Sequence, residues 1–326
     1  MRPLRLGILG TGIAANKLYL PQLKKLGREI EVVACANRTR TKAVAFAKAA
    51  GVPLVLDSGE DLLAQPQVEA VVISLPIELQ PAWVLRALKA GKHVLSEKPV
   101  APDLASGRAL LKAAAPYQRK GLKWLVGENF HFMRQAQQLQ AWLEAGALGD
   151  VRLVEARQMG VMDAASPYFH TRWRTSPRFV GGFVVDGGVH LANILRRSFG
   201  LPVEIKSLTA EFNPALKPLD TVVASLRFRS GALGQWTSCY SAAASGPIIT
   251  VRGSKANAEL YWHQIVLTPH RGKPKTVAAG PDSFLMQFRH FAQAVVLDKP
   301  LALNPAEALA DLAFMQGLVQ GKALKP

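Results

Sequence analysis

The chain has only two cysteines among its 326 residues, Cys35 and Cys239. A disulfide framework is therefore not expected. Cys35 lies inside the apolar run at residues 32–36, which favours a buried thiol and a reducing compartment, with the cytoplasm as the default. No apolar run approaches the roughly 20 residues that span a bilayer, and the apolar stretch near the N-terminus is too short for a signal peptide. We expect no membrane partner.

The sequence also lacks the motifs of several chemistries. No His and Cys cluster has the spacing of metal ligands, so we predict no metal site. No Gly-x-Ser-x-Gly elbow of a serine hydrolase occurs. The formal charge of +17 is large, but no tract of five or six like charges is present, and we expect no nucleic-acid partner. An anionic cofactor or substrate accounts for a cationic surface equally well.

Strand and helix signals alternate along the N-terminal part of the chain. Strands are predicted at residues 4–9, 30–36, 53–56, 70–75 and 93–95. Helices are predicted through Leu26 after the first strand and then at residues 41–50, 59–64, 79–90 and 102–115. This alternation predicts an α/β fold with a doubly wound parallel sheet.

A glycine-rich turn joins the first strand to its helix. Residues 10–15, Gly-Thr-Gly-Ile-Ala-Ala, fit the pattern Gly-x-Gly-x-x-Gly/Ala. The first glycine allows the turn, the second lets a pyrophosphate approach the backbone, and the small third residue lets helix and strand pack. We therefore predict a Rossmann dinucleotide-binding domain over residues 1–125. Its predicted cofactor contacts in this turn are Gly10, Thr11, Gly12, Ile13 and Ala14.

The residues after the second strand indicate which dinucleotide binds. An NAD site usually has Asp or Glu there to hold the ribose hydroxyls. This chain has Asn37-Arg38-Thr39-Arg40, in which no carboxylate repels a 2′-phosphate and two arginines are available to bind one. We predict NADP in preference to NAD, with contacts from Asn37, Arg38 and Thr39. The alternative is that these arginines belong to a solvated turn.

Glu97-Lys98-Pro99 follows the strand at residues 93–95. The carboxyl ends of parallel strands are where open α/β sheets bind ligands, and Pro99 fixes the chain direction after Lys98. Lys98 is thus placed for proton transfer. The alternative is a surface lysine on a strand-end turn.

Asp186 and His190 form the second candidate centre. A strand-like apolar run at residues 183–185 stops at Asp186, and apolar residues then recur at helical spacing up to Gly200. Asp186 is predicted at or near a helix start, with His190 one turn on and on the same face. The positive end of the helix dipole favours the carboxylate over a protonated imidazole, which suits a general base. The alternative is an Asp cap and an ordinary core histidine.

The C-terminal part alternates polar and apolar residues in several runs. Strands are predicted at residues 151–159, 205–212, 221–228, 233–241 and 248–252. They predict a mostly antiparallel sheet with one polar and one apolar face, in a substrate-binding and oligomerisation domain over residues 126–326. Because such an exposed face often mediates association, we expect a homo-oligomer, a dimer or tetramer.

Three motifs occur in a fixed order along the chain. They are Gly10-Thr11-Gly12 with Ala15, then Glu97-Lys98-Pro99, then Gly181-Gly182 followed by Asp186, Gly188 and His190. This combination resembles the glucose–fructose oxidoreductase, inositol 2-dehydrogenase and rhizopine-catabolism family, the Gfo/Idh/MocA oxidoreductases. The likeness covers nearly the whole chain and includes residues 90–94, 127–130, 148–151, 173–174 and 305–308.

The resemblance implies a nucleotide-binding domain followed by an α/β domain on a large open sheet, and hydride transfer between NAD or NADP and a sugar, cyclitol or related compound. It also implies a catalytic set. His190 would exchange the hydroxyl proton, Lys98 would polarise or protonate the same oxygen, and Asp186 would orient them. We further expect Leu75, Pro76, Glu97 and Lys98 to contact the cofactor.

A loop at residues 160–177 is rich in aromatic and cationic side chains, among them Tyr168, His170 and Arg174. Its alternative role is to cover the sheet edge. Predicted substrate contacts over the whole chain are Lys98, Asn129, Arg174, Asp186 and His190, with His131 as a further candidate.

The chain departs from the family pattern at three positions. Ile77 and Gln80 stand where the family often has Asn and His, and Asn193 stands where it often has Asp. Ile77 and Gln80 therefore replace residues that usually make polar contacts near the nicotinamide. With Asn193, they favour a substrate unlike that of the best-known family members. Two other functions stay open: a redox-elimination glycosidase that keeps its nicotinamide bound, and a non-catalytic sensor of the same fold.

Overall fold

The computed structural model describes residues 1–176 and 179–326, and the chain divides into two compact units. The first comprises Met1–Glu128 and Phe284–Leu309, and the second comprises Asn129–Ser283 and Ala310–Pro326. Each unit draws on two separated stretches of chain. A domain boundary after residue 125 stays a prediction.

In the described chain, the first unit has one six-stranded sheet. Its strands are β1 (Leu4–Leu9), β2 (Ile30–Ala36), β3 (Leu54–Leu56), β4 (Ala70–Ile73), β5 (His93–Ser96) and β6 (Trp124–Val126). The order β3-β2-β1-β4-β5-β6 reverses direction at β1, and every pair is parallel. The predicted doubly wound parallel sheet is confirmed.

Helices follow the strands as the alternation predicted. A π-helical segment at Ala15–Tyr19 leads into α1 (Leu20–Lys25), and then come α2 (Arg40–Ala50), α3 (Gly59–Ala64), α4 (Gln80–Lys89) and α5 (Leu104–Arg119). A later helix, α8 (Ser283–Val296), contributes Phe288 and Phe291 to the core formed with β1, β2 and β4. The Phe288 ring meets Tyr19 edge-on, with ring centroids 5.2 Å apart. This contact fixes the helix that follows the glycine-rich turn.

The second unit is built on a larger, mixed sheet. Its strands are β7 (Val151–Val161), β8 (Pro202–Ala210), β9 (Thr221–Phe228), β10 (Leu233–Cys239), β11 (Ser241–Ala242), β12 (Ile249–Gly253), β13 (Ala256–Leu260), β14 (Gln264–Pro269) and β15 (Lys275–Ala278). The order is β15-β14-β13-β12-β7-β10-β9-β8, and β11 pairs with β7. Only β7 and β10 run parallel among the described pairs. The predicted mostly antiparallel sheet is confirmed, whereas β13, β14 and β15 were not predicted.

Three further helices are α6 (Arg134–Glu144), α7 (Gly182–Phe199) and α9 (Pro305–Gln320). The predicted strand at residues 183–185 is wrong, because these residues lie in the first turn of α7. Phe183, Val184 and Val185 are all buried. A helix that is surrounded on all sides carries consecutive apolar residues, which a periodicity argument cannot distinguish from a short buried strand.

Both cysteines are free and buried. Burial raises the pKa of the Cys35 thiol to about 11, so this thiol stays protonated and unreactive near neutral pH. Within the described residues, no helix is both long and apolar enough to cross a membrane.

Asn193, one of the departures from the family pattern, joins α7 to α9. Its Nδ2 donates to Oδ2 of Asp311 at 2.8 Å, and Arg196 Nε donates to Oδ1 of the same carboxylate at 2.5 Å. Asn193 and Asp311 are 0% and 2% exposed. An amide, rather than a carboxylate, is thus the group that this buried Asp311 requires at position 193.

Asn193→Asp is expected to lower the free energy of unfolding by about 3 kcal/mol, because two carboxylates would face each other in a buried site. Asn193→Ala removes one hydrogen bond and is expected to lower it by only about 1 kcal/mol. Urea unfolding at pH 7 followed by circular dichroism measures both. An Asn193→Asp protein as stable as the wild type would contradict this account of Asp311.

Candidate active site

The glycine-rich turn of the first unit has the geometry of a phosphate-binding turn. Gly10 has a φ of +96°, and a Cβ there would overlap the carbonyl oxygen of Ser74, so only glycine fits. A Cβ on Gly12 would meet no atom of the described chain within 4 Å, which leaves room for phosphate oxygens. The Thr11 Oγ1 is buried and has no hydrogen-bond partner among the described residues. A ligand at this turn would give it one.

Asn37 connects the end of β2 to this turn. Its Oδ1 accepts from the Thr11 backbone N–H at 3.2 Å, and its Nδ2 donates to the Thr39 carbonyl at 3.1 Å. Arg38 is exposed and forms no ion pair with a described residue, whereas Arg40 pairs with Asp57. Arg38 is therefore the more available cation for a 2′-phosphate.

The Glu97-Lys98 step follows β5, and the Lys98 backbone N–H donates to Oε2 of Glu97 at 3.2 Å. Both residues are half-buried at the carboxyl edge of the parallel sheet. At this edge Leu75 is half-buried and Pro76 is exposed. Ile77 is a core residue, and Gln80 is 2% exposed with an Oε1 that has no partner in the described chain.

Asp186 in the second unit forms a buried ion pair. Arg174 Nε donates to Oδ2 of Asp186 at 2.7 Å, and both side chains are only 11% exposed. The Arg174 guanidinium also donates to Oγ1 of Thr171 at 2.7 Å and lies 4.1 Å from the ring centroid of Trp173. A planar cation held on two sides fixes the carboxylate in one orientation. Because Gly181 is the N-cap of α7, the alternative of Asp186 as a helix cap is wrong.

Tyr240 is a neighbour of Asp186 that sequence reasoning missed. A Cβ on Gly187 would overlap the Tyr240 hydroxyl, so this glycine lets the phenol approach α7 next to Asp186. Burial raises the pKa of Tyr240, and the negative charge of Asp186 raises it further, while Arg174 acts in the opposite direction. The phenol therefore stays protonated and serves as a hydrogen-bond donor or acceptor.

His190 lies one helical turn after Asp186, on the same face of α7. Its imidazole stacks on the Phe130 ring, with centroids 4.4 Å apart and planes inclined by 18°. The helix dipole does not act on Asp186 and His190 as the sequence suggested, because α7 begins at Gly182 and the dipole's influence falls off within the first turn. Stacking on Phe130 and the spacing from Asp186 are what orient this histidine.

The other predicted substrate residues of the second unit differ in their surroundings. Asn129 is buried, and its Nδ2 donates to Oγ of Ser283 at 2.7 Å, while its Oδ1 has no partner among described residues. The guanidinium carbon of Arg174 lies over the Tyr168 ring, 5.2 Å from its centroid. The exposed His170 contacts the Ala164 carbonyl at 3.1 Å. Pro177, the predicted end of this loop, lies outside the described residues.

Lys98 belongs to the first unit, whereas Asn129, Arg174, Asp186 and His190 belong to the second. The structure brings Arg174, Asp186 and Tyr240 together and places His190 one turn away. That Lys98 acts with them stays a prediction. Over the described ranges, no three His, Cys, Asp or Glu side chains form a group that could hold a metal ion.

Comparison with known proteins identifies the family. The model described as "Oxidoreductase family, NAD-binding Rossmann fold" matches residues 4–123, and the GFO/IDH/MocA C-terminal domain matches residues 136–259. Dehydrogenase FPY6 of Fusarium mangiferae is 30% identical over 98% of this chain and 96% of its own length. The 1,5-anhydro-D-fructose reductase of Ensifer adhaerens is 31% identical over 73% of this chain and 69% of its own length.

The fold also matches a solved structure. An oxidoreductase from Thermotoga maritima superposes with a TM-score of 0.92 at 34% identity, covering 99% of this chain and 97% of that chain. Both parts of the chain therefore agree with the resemblance read from its motifs. The chain belongs to the GFO/IDH/MocA family, and the protein is an NAD(P)-binding oxidoreductase that acts on hydroxyl or keto groups.

Proposed function

We propose that the protein is an NADP-preferring dehydrogenase or reductase of a sugar, cyclitol or related hydroxy or keto compound. The observation that carries the catalytic part is the buried Arg174–Asp186 pair with His190 one turn along the same helix. A fixed carboxylate and an imidazole on one helix face suit the binding and deprotonation of a substrate hydroxyl. The sugar-like substrate is supported by the 1,5-anhydro-D-fructose reductase among the relatives.

The first unit supplies the residues that would hold the dinucleotide. The backbone of residues 10–14 and the Thr11 hydroxyl would contact the pyrophosphate, and Arg38 with Thr39 would contact a 2′-phosphate. Leu75, Pro76, Glu97 and Lys98 lie at the same sheet edge and would border the nicotinamide half. The bound nicotinamide supplies the hydride donor or acceptor.

The second unit supplies groups for the substrate oxygen. His190 takes the hydroxyl proton in oxidation and returns it in reduction, and Lys98 polarises the same oxygen. Asp186, held by Arg174, accepts hydrogen bonds from the substrate and orients it. The neutral Tyr240 hydroxyl offers a further hydrogen bond next to that carboxylate.

Cofactor preference is expected to depend on Arg38. Arg38→Ala should weaken NADPH binding about tenfold with little change for NADH, because it removes a charge-assisted bond to the 2′-phosphate. Arg40→Ala is the matched control, since Arg40 already pairs with Asp57. Asn37→Asp should shift the preference towards NADH by placing a carboxylate at the ribose. Fluorescence titration with both nucleotides measures each effect, and an unchanged preference in Arg38→Ala would contradict the assignment.

We also propose that the open face of the second sheet joins copies of the chain in a dimer or tetramer. Leu153 lies opposite Leu233, and Leu208 lies opposite Val223, and all four side chains are exposed. Exposed apolar pairs of this kind, set among polar and charged side chains, are candidate association sites. Sedimentation of the wild type and of Leu208→Lys tests this, since a monomeric wild type would contradict it.

The experiment that tests the function is a turnover screen. Purified protein is mixed with NADP⁺ or NADPH and with sugars, cyclitols and uronates, and absorbance at the nicotinamide band is followed. Net cofactor turnover on one of these compounds supports the proposal. Glycoside cleavage without net cofactor turnover would indicate a redox-elimination glycosidase, and tight binding without reaction would indicate a sensor.

A further inference from the structure

A pocket of about 400 Å³ lies in the second unit, between the end of β7, the segment before β12 and the turn between β13 and β14. Among the residues that line it are Arg157, Gln158, Met159, Pro247 and Trp262. No Asp or Glu is among its lining residues. Apolar walls with a few polar groups are typical of a small-molecule site.

Trp262 is the largest side chain of this pocket and is unusually open to solvent. It is 55% exposed, although large apolar side chains of a folded domain are mostly covered. Its main chain is held by the buried Gln135, whose Nε2 donates to the Trp262 backbone carbonyl at 2.8 Å. Its ring packs edge-on against the Phe130 ring. An exposed indole packed in this way offers a flat face for a ligand ring.

An aromatic row joins this tryptophan to His190. The Phe130 ring stacks on His190 at 4.4 Å and meets Trp262 edge-on at 5.6 Å, between ring centroids. Trp262 thus lies no farther from the imidazole than these two steps together. A ligand with two linked rings spans such a distance, with one ring at each end.

Gln158 supplies a polar group among the residues that line the pocket. A Cβ on Gly187 would lie 2.8 Å from Gln158 Nε2, which places this side chain beside α7, within the turn that joins Asp186 to His190. The Gln158 Oε1 is buried and has no hydrogen-bond partner among the described residues. A buried acceptor left unpaired in this way costs free energy. A ligand hydroxyl that donates to it would remove this cost, whereas an apolar ring would not.

Arg157 shapes the opposite wall. Its Nη2 donates to the carbonyls of Ser245 and Pro247 at 2.9 and 3.4 Å, so the guanidinium holds the segment before β12 in place. The Arg157 guanidinium therefore already donates hydrogen bonds to backbone carbonyls. The remaining features of the pocket are an aromatic face and the Gln158 amide oxygen, which has no donor among the described residues. Both match a neutral sugar ring.

We propose that this pocket binds the non-reacting sugar ring of a disaccharide or glycoside whose reacting ring lies at His190. Trp262 stacks on the apolar face of that ring, and Gln158 Oε1 accepts a hydrogen bond from one of its hydroxyls. The proposal rests on the proposed function and narrows its substrate class from single sugars to glycosides.

The test is a set of calorimetric titrations on the full chain saturated with NADP⁺. The probes are cellobiose, maltose, lactose and trehalose, with glucose and galactose as the matching monosaccharides. At least one disaccharide is expected to bind about tenfold more tightly than its monosaccharides. Trp262→Ala should abolish this advantage and leave monosaccharide binding unchanged. Phe212→Ala is the matched control, because Phe212 is 69% exposed and does not line the pocket.

Two results would overturn the proposal: no disaccharide binds better than its monosaccharides, or the advantage survives Trp262→Ala. Gln158→Leu adds a second check, because it should weaken the preferred disaccharide about tenfold, and no loss there would also count against the proposal. Failure of the proposed function is read separately, from NADPH binding and turnover, since these titrations need no reaction.

Discussion

Arg174→Met is expected to lower the free energy of unfolding by about 4 kcal/mol, because it leaves the Asp186 carboxylate buried without its cation. The wild-type pair is only 11% exposed, with a 2.7 Å bond from Arg174 Nε to Asp186 Oδ2. The guanidinium also loses its contacts with Thr171 and Trp173. Urea unfolding at pH 7, followed by circular dichroism, measures the loss.

A double variant, Asp186→Leu combined with Arg174→Met, removes both charges of the ion pair. Replacing both charges by apolar groups of similar volume is often neutral, so the double variant is expected to regain most of the lost stability. Both proteins should lack turnover, because Arg174→Met leaves the Asp186 carboxylate without the cation that holds it and the double variant removes that carboxylate. If the double variant were no more stable than Arg174→Met alone, the loss in Arg174→Met would not come from the unpaired Asp186 carboxylate.

His190→Ala is expected to lower kcat by about 10³, the contribution of a positioned general acid–base group. NADPH affinity should stay unchanged, since His190 belongs to the second unit and the nucleotide contacts are proposed in the first. Lys98→Ala should lower kcat to a similar extent. His270→Ala is the control, because His270 is an exposed histidine that follows β14.

The measurement is kcat with whichever compound the turnover screen selects. Retention of more than about a tenth of the wild-type kcat in His190→Ala would mean that another group moves the proton.

The parallel sheet was predictable from the sequence because its strands are short apolar runs separated by amphipathic helices. In this sheet, β1 and β2 have the predicted bounds, Leu4–Leu9 and Ile30–Ala36. In the second sheet, β9 has the predicted bounds Thr221–Phe228. In β9 one face is buried and the other is exposed, so the period of two is visible. The start of α7 was not predictable in this way, because its first turn is apolar on every side.

The residues that surround Asp186 and His190 were harder to predict from the sequence than these two residues themselves. Asp186 and His190 have a helical spacing that a sequence displays directly. Phe130 stacks on His190, and Tyr240 and Gln158 lie beside Gly187. These three residues are far from α7 in the chain, and only the folded packing brings them to it. In the same way, the pairing of Arg40 with Asp57 separates two arginines that looked equivalent in the sequence.

Nucleotide binding is the measurement that decides whether the protein is an NADP-preferring oxidoreductase. The purified wild-type chain is titrated with NADPH and with NADH, and nicotinamide fluorescence reports the two dissociation constants. We expect saturable binding of both nucleotides, with NADPH tighter by about tenfold because of one charge-assisted contact. Equal affinities would contradict the proposal that Arg38 binds the 2′-phosphate. The absence of binding for both nucleotides would contradict the conclusion that the protein is an NAD(P)-binding oxidoreductase.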